Sequence, residues 1–284
     1  MTVEALEPHG FCHGVEQALR LTEKALAAGT LYCVHPPVHN EIVTDDLKAK
    51  GLVLVPSLAD IPDKGTVLFS AHGTRPEAVE EARERGLAMI DATCPFVARL
   101  HRQACAFAMR GVPVVVIGHA SHVEVQGVVG EIEHAGGIVH VIRTEHEVAT
   151  LEFPVNVAVG VLCQTTFDAA MSSAIMSALS ARYPHLELPP ASDVCTATRD
   201  RQDAVRRFVR SGGDGVLVLG SAGSSNTTRL IEIARAEGAR FAVRAASVLD
   251  AAKLDFKGVS RLGVTSGAST PETLLADVLA MLRR

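Results

Sequence analysis

A cysteine in a turn-like setting, followed at once by an amphipathic helical pattern, recurs three times in this chain. Nothing else in the sequence narrows its fold as much. The segments are GFCHGVEQALRLTEKAL, DATCPFVARLHRQACAFA and SDVCTATRDRQDAVRRFV, which carry Cys12, Cys94 and Cys195. Self-similarity at a long period marks duplicated supersecondary units. A second, polar element follows each cysteine after roughly 26–30 residues. It is Val38-His39-Asn40 in the first copy, GHASHVE at 118–124 in the second and GSAGSSN at 220–226 in the third. A third element follows after roughly 60–75 residues: SAHGT at 70–74, QTT at 164–166 and TSGAS at 265–269.

Between these motifs, short Val/Ile/Leu runs alternate with longer segments of helical spacing. The runs at 51–55, 66–70, 112–118, 155–163, 216–220 and 261–265 predict strands, and those at 15–28, 76–86, 97–110 and 204–210 predict helices. Alternation of this kind builds βαβ units with parallel sheets. The chain is 48% apolar but only 4% aromatic and has no Trp, so its core is aliphatic, as suits buried parallel strands. We therefore expect an α/β fold: three related α/β units at 1–93, 94–193 and 194–284, with small, mostly parallel sheets around a pseudo-threefold central site. Several of the polar motifs directly follow an apolar run, where ligand-binding loops of parallel sheets sit.

Bulk properties exclude several function classes. The formal net charge of −5 offers no footprint for nucleic acid. No apolar run reaches the ~18–20 residues of a membrane span. The first ten residues, MTVEALEPHG, carry Glu4 and Glu7 and no basic-apolar leader pattern, so a cytoplasmic location is expected. The six cysteines form no CxxC pair, and in a reducing compartment they are unlikely disulfides. Any metal site must be assembled from distant parts of the chain.

Three thiolates cannot complete the four-cysteine set of an ordinary [4Fe–4S] cluster. They would leave one iron open, as a catalytic metal keeps an open position. Each of Cys12, Cys94 and Cys195 precedes a predicted helix, whose N-terminus stabilises a thiolate. The shared context sets these three apart from Cys33, Cys105 and Cys163, which read as small buried hydrophobes. His39, His72 and His122, with Ser224, Ser225 and Asn226, form a donor set suited to phosphate oxygens. SSN before TTRLIEIARAEG also reads as a helix start, an anion site in its own right, although plain capping explains Ser225 and Asn226 equally well. GSAGSSN is neither GxGxxG nor a P-loop. Glu124, two residues after His122, could relay protons beside a phosphate; in an extended segment the two would share a face. A lone Glu is more often a solvated surface group. The remaining histidines, His101 among them, read as surface or supporting residues. The Arg-rich stretch at 199–210 reads as a solvated helix face before it reads as a docking patch.

Taken together, GFCHGV, VHN, FSAHG, DATCP, GHASHVEVQG, QTT, DVCTAT with RQDAV, GSAGSSN and GVTSGASTPE occur in an order that resembles the 4-hydroxy-3-methylbut-2-enyl diphosphate reductases, which end the non-mevalonate isoprenoid pathway. The likeness runs over nearly the whole chain. It implies a [4Fe–4S] cluster on Cys12, Cys94 and Cys195. It implies a diphosphate held among His39, His72, His122, Ser224, Ser225, Asn226 and Ser269. It implies that Glu124 delivers the proton, that Thr165 orients Glu124 and the substrate oxygen, and that a small electron donor such as ferredoxin or flavodoxin serves the reaction. His13, Thr196 and Gly223 depart from the residues usual in such enzymes, and the chain stops at Arg284 where many of them carry a further tail. Two other classes would use the same cysteines: a three-Cys zinc hydrolase and a cluster-containing redox sensor without turnover.

Overall fold

The computed structural model describes residues 1–188 and 193–283. Ser192, at the expected second boundary, and Arg284 lie outside the described residues. The first run of elements is β1 (Thr2–Ala5), α1 (His13–Leu26), β2 (Leu31–Cys33), α2 (Glu41–Ala49), β3 (Leu52–Leu54), β4 (Thr66–Phe69), α3 (Pro76–Glu84) and β5 (Ala88–Asp91). The second is α4 (Pro95–Met109), β6 (Val114–Ile117), α5 (Val123–His134), β7 (Val139–Ile142), β8 (Val159–Cys163), α6 (Ala169–Arg182) and β9 (Leu186–Glu187). The third is α7 (Thr196–Arg210), β10 (Gly215–Leu219), α8 (Ser225–Ala236), β11 (Phe241–Ala245), α9 (Val248–Ala252), β12 (Arg261–Ser266) and α10 (Glu272–Leu282).

The strands make three four-stranded sheets, ordered β3-β2-β4-β5, β7-β6-β8-β9 and β11-β10-β12-β1, with every pairing parallel. The order is the same each time once β1 is placed where β5 and β9 stand. Thr2 to Ala5 pair with Arg261 to Val264, so the first strand of the chain completes the last sheet. The strand in this edge position leads each time to a repeat cysteine, β1 to Cys12, β5 to Cys94 and β9 to Cys195.

Two compact units divide the chain. One comprises Met1–Glu16, Val38–Asp46 and the residues from Thr196 onward, and holds the sheet of β10, β11, β12 and β1; the other comprises Gln17–Pro37 and Leu47–Cys195, and holds the other two sheets. Central strands are apolar on both faces because helices cover both. In β6, Val115 and Ile117 pack toward α6, while Val114 and Val116 pack toward α4 and α5. In β10, Val216 and Val218 face α7 and α8, and Leu217 and Leu219 face α9 and α10. This two-fold alternation within an unbroken apolar run is the pattern of a buried parallel strand.

In the first two sheets the chain leaves the two central strands in opposite directions, from β2 to β3 and from β4 to β5 in the first and from β6 to β7 and from β8 to β9 in the second. That makes a topological switch point, the usual place for a ligand at the carboxyl ends of parallel strands. All nine polar motifs lie in the loops that follow β2, β4, β6, β8, β10 and β12, or directly precede α1, α4 and α7. Each predicted strand and helix is present, with ends that shift. The largest shift is at α7, which begins at Thr196 rather than 204; β8 begins at Val159 rather than 155, because Pro154 opens a turn closed by Val157 N–H to its carbonyl at 3.2 Å. Among the described residues, no helix is long and apolar enough to cross a membrane.

Candidate active site

The three repeat cysteines sit in one local geometry. Each stands immediately before a helix, and each donates its backbone N–H to a carbonyl two residues past a central strand. Cys12 binds Ala268 at 3.0 Å beyond β12, Cys94 binds Ala71 at 3.0 Å beyond β4, and Cys195 binds Thr165 at 3.1 Å beyond β8. The carbonyls of Cys12 and Cys94 accept the first helical bonds from Glu16 and Ala98. Pro95 at the first helical position of α4 gives up an N–H that the helix leaves unused. All three cysteines are partly exposed, whereas Cys33 and Cys163 are buried. Burial pushes the Cys33 thiol up to about 12 and raises that of Cys163 further, so both stay protonated and inert. Cys105 lies within α4 as expected but is partly exposed rather than buried. Among the described residues, no three His, Cys, Asp or Glu side chains are gathered tightly enough for one metal ion. The donor chemistry suits a cluster: three accessible thiols, each at the partially positive start of a helix.

The phosphate-type donors fall into two groups. In the unit built on β10 and β12, Ser269 donates its hydroxyl to the His39 carbonyl at 2.9 Å, and Asn40 donates its amide to the Ser269 carbonyl at 2.8 Å. These bonds tie the loop of His39 to the loop beyond β12. Ser224 is the cap of α8, accepting from Thr227 N–H at 3.3 Å, so capping falls to Ser224 rather than to Ser225 or Asn226. Ser225 and Asn226 occupy the first turn of α8, where backbone N–H groups suit an anion. Asn226 is 4% exposed and its Oδ1 has no hydrogen-bond partner among the described residues. In the other unit, His72 and His122 meet edge to face with ring centroids 5.8 Å apart. His122 caps α5 by accepting Glu124 N–H at Nδ1, 3.2 Å away. Its neutral form therefore carries hydrogen on Nε2.

Glu124 is not the solvated group its type suggests. It lies in the first turn of α5, so it does not share an extended face with His122, and it is 1% exposed. Thr165 donates to both of its oxygens, from N–H at 2.6 Å and from Oγ1 at 2.8 Å. Burial pushes the carboxyl from 4.5 up to about 7, against the Thr165 bonds and His101, which draw it down. A carboxyl poised near neutrality can hold a proton and release it.

Sequence reading gives no individual role to Asp193, Gln164 or Arg201, and it reads His101 only as a surface or supporting residue. Asp193, 4% exposed, accepts Cys163 N–H at 2.9 Å and stands 3.7 Å from Arg99; burial raises it to about 6. Gln164 accepts His119 N–H at 3.0 Å and donates to Thr166 at 2.9 Å. Arg201, in the stretch read as solvated, is 2% exposed and donates to the carbonyls of Gly10 at 2.8 Å and Ala197 at 2.9 Å. His101 bonds Glu131 at 3.0 Å. Its place two residues before Cys195 could have marked Asp193, and its place in the QTT motif Gln164; Arg201 and His101 carry no local signal.

Fold and site define an α/β protein of three equivalent sheets, with one cysteine hung on each and phosphate-type donors at the switch points. A protein-family model described as LytB protein matches residues 3–283. A protein of Xanthomonas oryzae pv. oryzae (strain PXO99A) named 4-hydroxy-3-methylbut-2-enyl diphosphate reductase is 42% identical over 291 residues, covering 100% of this chain and 90% of its own length. One of Burkholderia mallei (strain ATCC 23344), named 4-hydroxy-3-methylbut-2-enyl diphosphate reductase 2, is 40% identical over 280 residues, covering 98% and 84%. The solved structure of E-1-hydroxy-2-methyl-but-2-enyl-4-diphosphate reductase from Plasmodium falciparum superposes with a TM-score of 0.93 at 32% identity, covering 99% of this chain and 88% of that one. The chain belongs to the LytB family.

Proposed function

We propose that this LytB-family oxidoreductase removes the allylic hydroxyl of 4-hydroxy-3-methylbut-2-enyl diphosphate. The reaction consumes two electrons and two protons, releases water, and yields isopentenyl and dimethylallyl diphosphate. The observation that carries this reading is the threefold Cys–helix–strand-end geometry, with the doubly held, buried Glu124 beside the loop that anchors Cys195. Cys12, Cys94 and Cys195 would hold one [4Fe–4S] cluster, one from each of the units at 1–93, 94–193 and 194–284. When bound, that cluster supplies single electrons and a Lewis-acidic iron.

The chain's own groups do the rest. His39, His72, His122, Ser224, Ser225, Asn226 and Ser269 grip the diphosphate and so fix the five-carbon chain in one pose. Glu124 keeps a proton at neutral pH because it is buried, and gives it to the departing hydroxyl oxygen, since hydroxide is a poor leaving group and water a good one. Thr165 Oγ1 holds the Glu124 carboxyl in line for that transfer. A small donor such as ferredoxin or flavodoxin delivers the electrons in the cytoplasm.

The test is an anaerobic assay of the purified protein with the hydroxylated diphosphate and a strong reductant. Turnover to the two five-carbon diphosphates supports the reading. A cluster without turnover points to a redox sensor, and stoichiometric zinc to a hydrolase.

A further inference from the structure

Glu124, Gly127 and Glu131 stand at i, i+3 and i+7 along α5, a spacing that lays all three on one helix face. His101, from α4, crosses that face at the glycine. Its Nδ1 lies 3.0 Å from Glu131 Oε1. A Cβ at Gly127 would stand 2.8 Å from His101 Cε1 and 3.0 Å from Nε2, so the ring occupies the space that the missing side chain leaves. The ring's other side meets the loop of His72. Gly73, with φ of 80°, brings its backbone so close that a Cβ there would stand 2.5 Å from His101 Nε2. Two glycines, in the two loops or turns that carry His72 and Glu124, thus make a slot for one imidazole. His101 Nε2 is buried and has no hydrogen-bond partner among the described residues. Glu131, as acceptor, places the neutral ring's hydrogen on Nδ1 and turns the Nε2 edge toward the two glycines.

We propose that His101, anchored by Glu131, is a positioning residue that keeps an imidazole edge beside Glu124 and holds the His72 loop against the start of α5. The proposal rests on Glu124 being the proton donor. The charged and titratable side chains facing Glu124 are His101 from α4, Asp193 from the stretch before α7 and the Cys163 thiol at the end of β8; Thr165 supplies its hydrogen bonds. Removing His101 therefore takes away the one of these side chains that favours the ionised carboxylate by its charge.

The experiment compares wild-type holoenzyme with His101→Asn, which keeps a donor toward Glu131 but loses the Nε2 edge, and with the milder Glu131→Gln. For His101→Asn we expect kcat to fall about tenfold, with KM for the allylic diphosphate and iron per chain unchanged. The titration midpoint of the Glu124 carboxyl, read by isotope-edited infrared spectroscopy against Glu124→Gln, should move to higher pH. Glu131→Gln should move both readouts the same way by less, and decides the matter if His101→Asn does not fold. Unchanged kcat, or a loss of kcat with an unmoved midpoint, overturns the proposal. A wild type without turnover would instead overturn the reductase reading, and the infrared midpoint would still decide the part played by His101.

Discussion

Thr165 grips Glu124 at both carboxylate oxygens, at 2.6 and 2.8 Å, while its own carbonyl accepts the Cys195 N–H at 3.1 Å. One residue thereby sets the proposed proton donor and the backbone of a proposed cluster ligand in fixed relation. Glu124→Gln retains the shape and loses the transferable proton. We expect wild-type iron content and a kcat lower by about 10²–10⁴-fold, measured at saturating substrate.

Thr165→Val removes the Oγ1 donor and keeps the N–H. The Glu124 carboxylate then has one hydrogen bond fewer, so its proton is held more tightly and its pKa rises above about 7. With Glu124 as the proposed proton donor the protonated form is the active one, so activity is expected to fall as pH rises through this value. The alkaline limb of the pH–rate profile should move to higher pH in Thr165→Val while the plateau falls.

The same carboxyl makes stability depend on pH. Its folded value, about 7, lies above its ordinary 4.5, so between those limits the unfolded chain has ionised and the folded one has not. The folded state loses stability as pH rises from 4.5 to 7, and the full cost, on the order of 3 kcal/mol, is present above 7. Denaturant unfolding at pH 5 and pH 8 should show a larger loss for wild type than for Glu124→Gln. Equal losses would contradict the burial-driven shift.

Arg201 stabilises the approach to Cys12. Its guanidinium holds the Gly10 carbonyl, while Gly10 N–H is held by Ser266 Oγ at 2.8 Å. Arg201→Met fills similar space but leaves the buried Gly10 carbonyl without its donor. We expect a loss of about 2–3 kcal/mol by denaturant unfolding and faster iron loss under a chelator.

What the sequence made legible was whatever repeats or is periodic. Cys12, Cys94 and Cys195 stood out because three similar helices follow them, and β6 and β10 because VVVI and VLVL are unbroken apolar runs. The pairing of β1 with β12 was not legible: four residues of alternating exposure at one end of the chain hold no sign of a partner at the other. Nor was the burial of Glu124, Asp193 and Arg201, since charged residues are read as solvated until the groups that satisfy them are seen. Cys105 misled for the opposite reason: its place in a helix pattern says nothing about which side of the helix is covered.

The most direct measurement of the central claim is iron and sulfide per chain, with Mössbauer spectra, in anaerobically purified wild type and in Cys12→Ser, Cys94→Ser and Cys195→Ser. A single [4Fe–4S] cluster in wild type, lost or made labile by each of the three substitutions but not by Cys105→Ser, is the predicted result. Wild-type iron and spectra in any one of the three variants would contradict it.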